Sequence, residues 1–322
     1  MTITARPPAP PLPQPPAPPR RRRARKLDHS STRTLISAAD LNRGSGRVVY
    51  YVVLTAVMVV FTLAFFFPLY WMVTGAVKEP QELAQTPPTF VPESFTVDAY
   101  VDAWNELQLP RFLFNTAFYA AGAWLFQLTF GVGIAYALSK LRPMFGNVIL
   151  AMILGSLMLP ATALLVPAYL TVTDVPLIGV NLLNTPWALW LPAVANAFNI
   201  YVLKRFFDQI PTDLLDSASL DGAGRLRTLW HIVLPLSRPV LGVVSIFIVI
   251  AMWKDFLWPL LVLQEPDSQT ISVALSRLNS TARISIDQML AALVLASLPM
   301  LAVFLVFQRS IISGLSAGGI KG

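Results

Sequence analysis

Few residues in this chain can do chemistry, and where they stand narrows what that chemistry is. Of 322 residues only 13% are charged and none is cysteine. No disulfide, thiolate nucleophile or cysteine-held metal can therefore be built. The two histidines, His29 and His231, lie far apart in the chain. No stretch carries the glycine loop ending in Gly-Lys-Ser/Thr that cradles nucleotide phosphates, so any ATP must be bound by another chain. Two groups of ionisable residues remain. Lys254 and Asp255 interrupt the apolar run "AMWKDFLWPLLVL", and Asp216 and Asp221 punctuate the amphipathic segment "LLDSASLDGAGRLRTLWHIVLPLSRP", which lies between two apolar runs.

The elements that must position these residues follow from composition. The chain is 55% hydrophobic, and its apolar residues come in blocks longer than the roughly 18 residues that signal a membrane span. The expected fold is an all-α integral membrane protein with six transmembrane helices, at about 48–77, 112–139, 145–172, 185–203, 239–263 and 289–307. Helices are required because lipid supplies no hydrogen-bond partners to the backbone. Residues 1–46 stand apart. "RPPAPPLPQPPAPP" is too poor in apolar anchors to build a core, and "RRRRARK" after it (Arg20 to Lys26) suits anionic headgroups. This reads as a disordered tail rather than a cleavable signal, because the apolar block that follows is too long for one. The transmembrane domain is then 47–322.

Basic residues fix the orientation. Residues 1–47, 140–144, 204–238 and the carboxyl end carry 10, 2, 5 and 2 Lys and Arg, while 78–111, 173–184 and 264–288 carry 2, 0 and 2. That alternation suits six crossings with both termini cytoplasmic. It also removes nucleic acid as a partner, since the net charge of +7 is spread along the cytoplasmic side and forms no basic domain.

The segment 204–238, between spans four and five, is then a cytoplasmic insert. Pro211 suits a first helical turn and Asp213 and Asp216 favour its positive end. Asp221-Gly222 is a stop signal, because glycine permits a left-handed residue. A second helix is expected from Gly224 to Val233, with Leu226, Leu229, Trp230 and Val233 in one stripe and Pro235 stopping it. Two readings fit this helix–turn–helix. It lies in the headgroup layer and covers the bundle, or its first helix seats in a groove on a cytoplasmic partner.

The insert resembles the EAA loop of ATP-binding cassette importer permeases. The family's Glu-Ala-Ala, Asp-Gly-Ala and Leu-Pro stand here as Asp216-Ser217-Ala218, Asp221-Gly222-Ala223 and Leu234-Pro235. Asp216 replaces the usual Glu and Ser217 the usual Ala. "PATALLVPAYL", "GVNLLNTPWALWLP", "KRFFDQIP" and "WKDFLWPLLVL" are similar to the carbohydrate branch of these permeases, with Lys254 where that branch usually has Asn. "QRSIISGLSAGGIKG" is similar to the ending of the maltose-type second permease subunit. The resemblance implies a permease, not itself an enzyme, that forms half of a sugar path. It implies as partners a second permease subunit, two ATPase subunits carrying the ATP and Mg, and an extracytoplasmic solute-binding protein. Membrane lipid surrounds the spans, and this chain itself holds no cofactor and no metal. Asp216 to Ala223, with Leu234 and Pro235, would couple to the ATPases.

The pair in span five is open to two readings. Asp255, with Trp253, lines the path and bonds sugar hydroxyls, or Lys254 reaches outward, Asp255 pairs with another subunit and Trp258 sits in the interfacial aromatic belt. Asn115, Thr116, Pro160 and Pro167 are expected to have no chemical role. The glycine-rich carboxyl tail is expected to be flexible, either reaching the ATPase interface or fraying. From the residues alone, a secondary transporter or channel working without an ATPase, or a membrane scaffold, would also account for the spans.

Overall fold

The computed structural model describes residues 44–280 and 284–319, with side chains at 46–280 and 284–308. The proline- and arginine-rich tail expected at 1–46 lies outside the described residues up to residue 43. In chain order the helices are α1 (Gly44–Gly75), α2 (Pro80–Leu83), α3 (Asp98–Asn105), α4 (Leu109–Tyr136), α5 (Gly146–Ser156), α6 (Ala161–Thr173), α7 (Trp187–Ala193) and α8 (Ala197–Asp208). They continue with α9 (Thr212–Leu220), α10 (Arg225–Thr228), α11 (Leu234–Leu236), α12 (Arg238–Lys254), α13 (Leu257–Val262), α14 (Ile271–Ser280) and α15 (Ile286–Gly319). Wide π turns follow α4 at Ala137–Leu141 and α10 at Leu229–Val233. Among the described residues the only β pairing is an isolated bridge, Val175 to Val180. The chain divides after Ala64 into two units, and the packing below belongs to the second, 65–322.

Three helices are long and apolar enough to cross a membrane unbroken: residues 46–75, 109–141 and 286–308. The third expected crossing is a bent pair, with α5 and α6 meeting at 107°. The break falls where Pro160, which offers no N–H, caps α6 in an extended conformation. The fourth, expected at 185–203, is two short helices. Pro192 lies inside α7, and Asn196 restarts the chain as α8 by accepting the Asn199 amide at 3.0 Å. The fifth ends early. α12 runs 17 residues, roughly 25 Å; Asp255 is extended, and the direction resumes in α13. The six continuous helices expected from hydropathy are thus three continuous helices and a set of broken ones. The carboxyl tail, expected to be flexible, is helical in its backbone to Gly319. Main-chain bonds carry a helix through scattered glycines at a cost of about 1 kcal/mol each.

The core forms where α12 packs along α4 and α15, with α7 against α4 and α8 against both α4 and α12. One close approach sets that geometry. Trp190 of α7 donates from its indole N–H to the Tyr119 carbonyl at 3.0 Å. Its ring lies so close to Gly122 that a Cβ there would stand 2.2 Å from ring carbons. At one end of α4, Asn115 donates to the carbonyls of Asp267 and Gln269, Thr116 accepts the Ile271 amide, and Tyr119 donates to the Ser268 carbonyl. Asn115 and Thr116, given no chemical role from sequence, clamp the segment between spans five and six onto α4. Beyond α1, Lys78 is 1% exposed. It lies over the Trp71 ring, donates to Thr89 Oγ1 at 2.9 Å and pairs with Glu82 at 3.6 Å. The Thr89 hydroxyl, then the amides of Glu93 and Ser94 and the charge of Lys78, hold the Glu82 carboxyl below its ordinary value against the opposing effect of burial.

Gly122→Ala should therefore destabilise the protein by about 1–3 kcal/mol, because the Trp190 ring is pinned and cannot yield. Gly133, whose Cβ would meet nothing within 4 Å, is the matched control. Gly133→Ala should be neutral or should stabilise by up to about 1 kcal/mol through helix propensity. Thermal unfolding of both variants in the same detergent reads the difference.

Candidate functional site

The insert begins at the end of α8. Thr212–Leu220 (α9) starts at Pro211 with Asp213 in its first turn, as the positive end of a helix favours. It stops on Gly222, whose φ is +78°. The Gly222 amide bonds the Ser219 carbonyl at 3.0 Å and the Ala223 amide bonds the Ala218 carbonyl at 2.9 Å. These two bonds define a Schellman ending, in which a left-handed residue lets the last carbonyls find donors. Ala218 is buried and Leu215 packs on the core, while Leu214, Asp216, Ser217, Asp221 and Gly222 are exposed and Leu220 is 89% exposed. Ser217 donates to the Asp213 carbonyl one turn back at 2.8 Å. One face of α9 is thus seated on the bundle, and the other presents apolar and acidic groups outward.

The second half departs from expectation. The chain does not stop at Pro235. It winds through the π turn Leu229–Val233 into Leu234–Leu236, where Pro235 stands in the first turn of a new segment and lacks only an N–H that no helical carbonyl there requires. The stripe expected at Leu226, Leu229, Trp230 and Val233 is split. Leu229 and Val233 are buried, whereas Leu226 and Trp230 are 72% and 66% exposed. A π turn has more residues per turn than an α-helix, so the 3.6-residue register fails across it. The bend into α12 is 82°.

Both ends of the α9 segment are tied to α4. Lys140, in the π turn that ends α4, donates to the Ile210 carbonyl at 2.8 Å, just before Pro211. Tyr136 donates to the Arg225 carbonyl at 3.0 Å, just after the turn at Gly222. Ser139 adds a bond to Asp208 at 2.7 Å. Spans four and five were the expected mounts; span two holds the insert as well. Composition gave no sign of this, because the acceptors are backbone carbonyls.

The second cluster forms where span five breaks. The Asp255 carboxylate stands at the break between α12 and α13. It also lines two cavities, one of about 490 Å³ shared with Gln127, Asn196 and Asn199, and one of about 270 Å³ shared with Leu165, Ala193 and Trp258. Asn199 donates to Gln127 Oε1 at 3.3 Å. These three amides were missed from sequence; polar side chains inside spans were the available signal. Trp253 is turned away, its indole N–H reaching the Ala296 carbonyl on α15 at 3.3 Å, and it lines neither cavity. Lys254 ends α12 and is exposed. Trp258 donates to the Ala188 carbonyl at 3.0 Å, tying α13 to α7. Asp255 and the polar amides therefore converge, Trp253 and Lys254 do not join them, and Asp216 to Ala223 form a separate site at the insert.

Residues 127–316 match the family model described as "Binding-protein-dependent transport system inner membrane component". Protein LplC of Bacillus subtilis is 30% identical over 79% of this chain and 89% of its own length. The arabinooligosaccharides transport system permease protein AraQ of the same organism is 29% identical over 85% and 97%. The sulfoquinovosyl glycerol transport system permease protein SmoH of Agrobacterium fabrum is 31% identical over 80% and 89%. Among solved structures, a chain of a bacterial ABC transporter involved in the import of the acidic polysaccharide alginate superposes with a TM-score of 0.73. It covers 85% of this chain and 98% of that one at 22% identity.

Removing one tether should loosen the insert without disturbing the spans. Tyr136→Phe is expected to cost about 1 kcal/mol of local stability. Amide exchange across 218–228 should quicken roughly fivefold at that cost, while exchange across 240–252 stays as in the unaltered protein. Hydrogen-exchange mass spectrometry checks both segments in one experiment.

Proposed function

The chain belongs to the family of binding-protein-dependent transport system inner membrane components, transport subunits and not enzymes, and from that premise we propose that it is one permease of an ATP-driven sugar importer. It is a multi-pass membrane protein. The proposed orientation puts the insert and both termini in the cytoplasm, following the alternation of basic residues along the sequence. A second permease subunit would complete the path. Two ATPase subunits holding the ATP and Mg would bind at the insert, and a solute-binding protein would deliver cargo on the other side. A self-sufficient carrier or channel does not fit a family that works with a binding protein.

The observation that carries the coupling role is the double tether of α9. A helix whose hydrogen bonds are internal moves as a unit. This one is closed at its end by Gly222 and bonded at both flanks to α4. A push on Asp216, Ser217 and Leu220 would therefore be carried into span two, and through the packing of α4 on α12 into the region around Asp255. As ATP binding closes the ATPase pair, the docked helices would approach one another and turn the spans, opening the cavity outward. The cargo class follows from chemistry and from kinship together. A carboxylate and three side-chain amides around one cavity suit a polyhydroxylated solute, whose every hydroxyl both donates and accepts. AraQ and SmoH are named for carbohydrate-containing solutes.

Two substitutions test the two halves of this reading. Gly222→Pro removes the amide that closes α9 and forbids the positive φ. Uptake into proteoliposomes containing the whole complex should fall at least about tenfold, with the complex intact and ATPase activity persisting uncoupled; normal uptake would sink the coupling role. Asp255→Asn keeps the size of the side chain. A loss of transport of about tenfold or more, with solute-stimulated ATPase activity reduced and assembly unchanged, is expected if Asp255 meets the solute.

A further inference from the structure

A cavity of about 540 Å³ lies beside the tether, between the π turn that ends α4, the start of α5 and the end of α8. Lys140, Arg142 and Lys204 line it against a single acid, Asp208. That carboxylate is already committed: one oxygen accepts from Lys204 at 2.9 Å and the other from the Ser139 hydroxyl at 2.7 Å. Lys140 uses one of its three N–H groups on the Ile210 carbonyl. Arg142 makes no salt bridge among the described residues. Its backbone is fixed in the left-handed region at φ 46°, with its amide bonded to the Ala137 carbonyl at 2.9 Å. The cavity thus carries an excess of positive charge, with several N–H donors unspent.

Apolar groups share the lining. Pro143, Met144 and Leu150 belong to it, Met144 is 88% exposed, and Phe145 beside it is 62% exposed. Cations and exposed apolar groups in one lining, at the ends of spans, match a molecule with an anionic head and hydrocarbon chains. A free phosphate would leave the apolar groups unused.

We propose that this cavity binds the phosphate group of an anionic phospholipid headgroup, held by Arg142, Lys204 and Lys140, with the acyl chains against Met144 and Leu150. The assignment to the cytoplasmic leaflet rests on the orientation proposed above; the site itself does not. Because Lys140 also holds the Ile210 carbonyl, a bound headgroup bears on the mount of α9.

The test uses the complete complex in nanodiscs of equal parts phosphatidylglycerol and phosphatidylcholine, followed by detergent extraction and native mass spectrometry of retained lipid. Phosphatidylglycerol should be enriched. Arg142→Gln, at a side chain with no ion pair among the described residues, should cut that enrichment roughly fivefold, as the loss of one surface cation implies, and Arg142→Lys should preserve most of it. Equal retention of the two lipids, or enrichment unchanged by Arg142→Gln, overturns the proposal. Displacement of the lipid by millimolar inorganic phosphate overturns the lipid assignment in favour of a free anion. Lost uptake with anionic lipid still retained counts against the importer reading and leaves this site standing; normal uptake without lipid enrichment overturns this site alone.

Discussion

Every backbone N–H and C=O that a broken helix exposes within the membrane must find a partner inside the protein, because lipid offers none. The broken crossings meet that demand one by one. Asn196 accepts the amide that starts α8. Asn184 accepts the amides of Gln264 and Glu265, while its own amide bonds the Val262 carbonyl. Two tryptophans work from the other direction: Trp190 and Trp258 donate to the carbonyls of Tyr119 and Ala188. Two of the interrupted spans, four and five, are stitched to each other and to α4 by these bonds.

The same demand gives the protein its polar interior. A helix that ran unbroken through 239–263 would spend its polar groups internally and leave no reason for a carboxylate at mid-span. The break at Asp255 leaves a carboxylate that faces a cavity with Gln127, Asn196 and Asn199. At the insert the bonding runs outward instead. Side chains of span two reach the carbonyls at residues 210 and 225, so the outward-facing helix α9 is fastened to the spans.

Much of this was legible beforehand for particular reasons. Gly222 after an acidic, amphipathic stretch marks a helix ending, and the two Schellman bonds are found there. Pro211 and Asp213 mark the beginning of α9, and the helix starts at Thr212. The second half of the insert was misread. Leu226, Leu229, Trp230 and Val233 form a stripe only if the turn holds 3.6 residues, and a π turn intervenes. Trp253 shares the apolar run of Asp255, yet it points to the Ala296 carbonyl, because neighbouring residues on a helix project about 100° apart.

What the sequence determined by itself was the solvent of each segment and the chemistry it could not do. Hydropathy and the lack of cysteine bound the class, since these are sums over residues and need no geometry. The joint order of the short motifs in 204–238 marked the insert as distinct from the spans beside it. Only the tertiary structure decided which spans break, that span two fastens the insert, and which polar residues share a cavity. Those outcomes depend on bonds between side chains and backbone carbonyls 70 or more residues away, such as Lys140 to Ile210 and Trp190 to Tyr119. A backbone carbonyl is the same at every position in a sequence, so no local pattern can announce which one will be chosen.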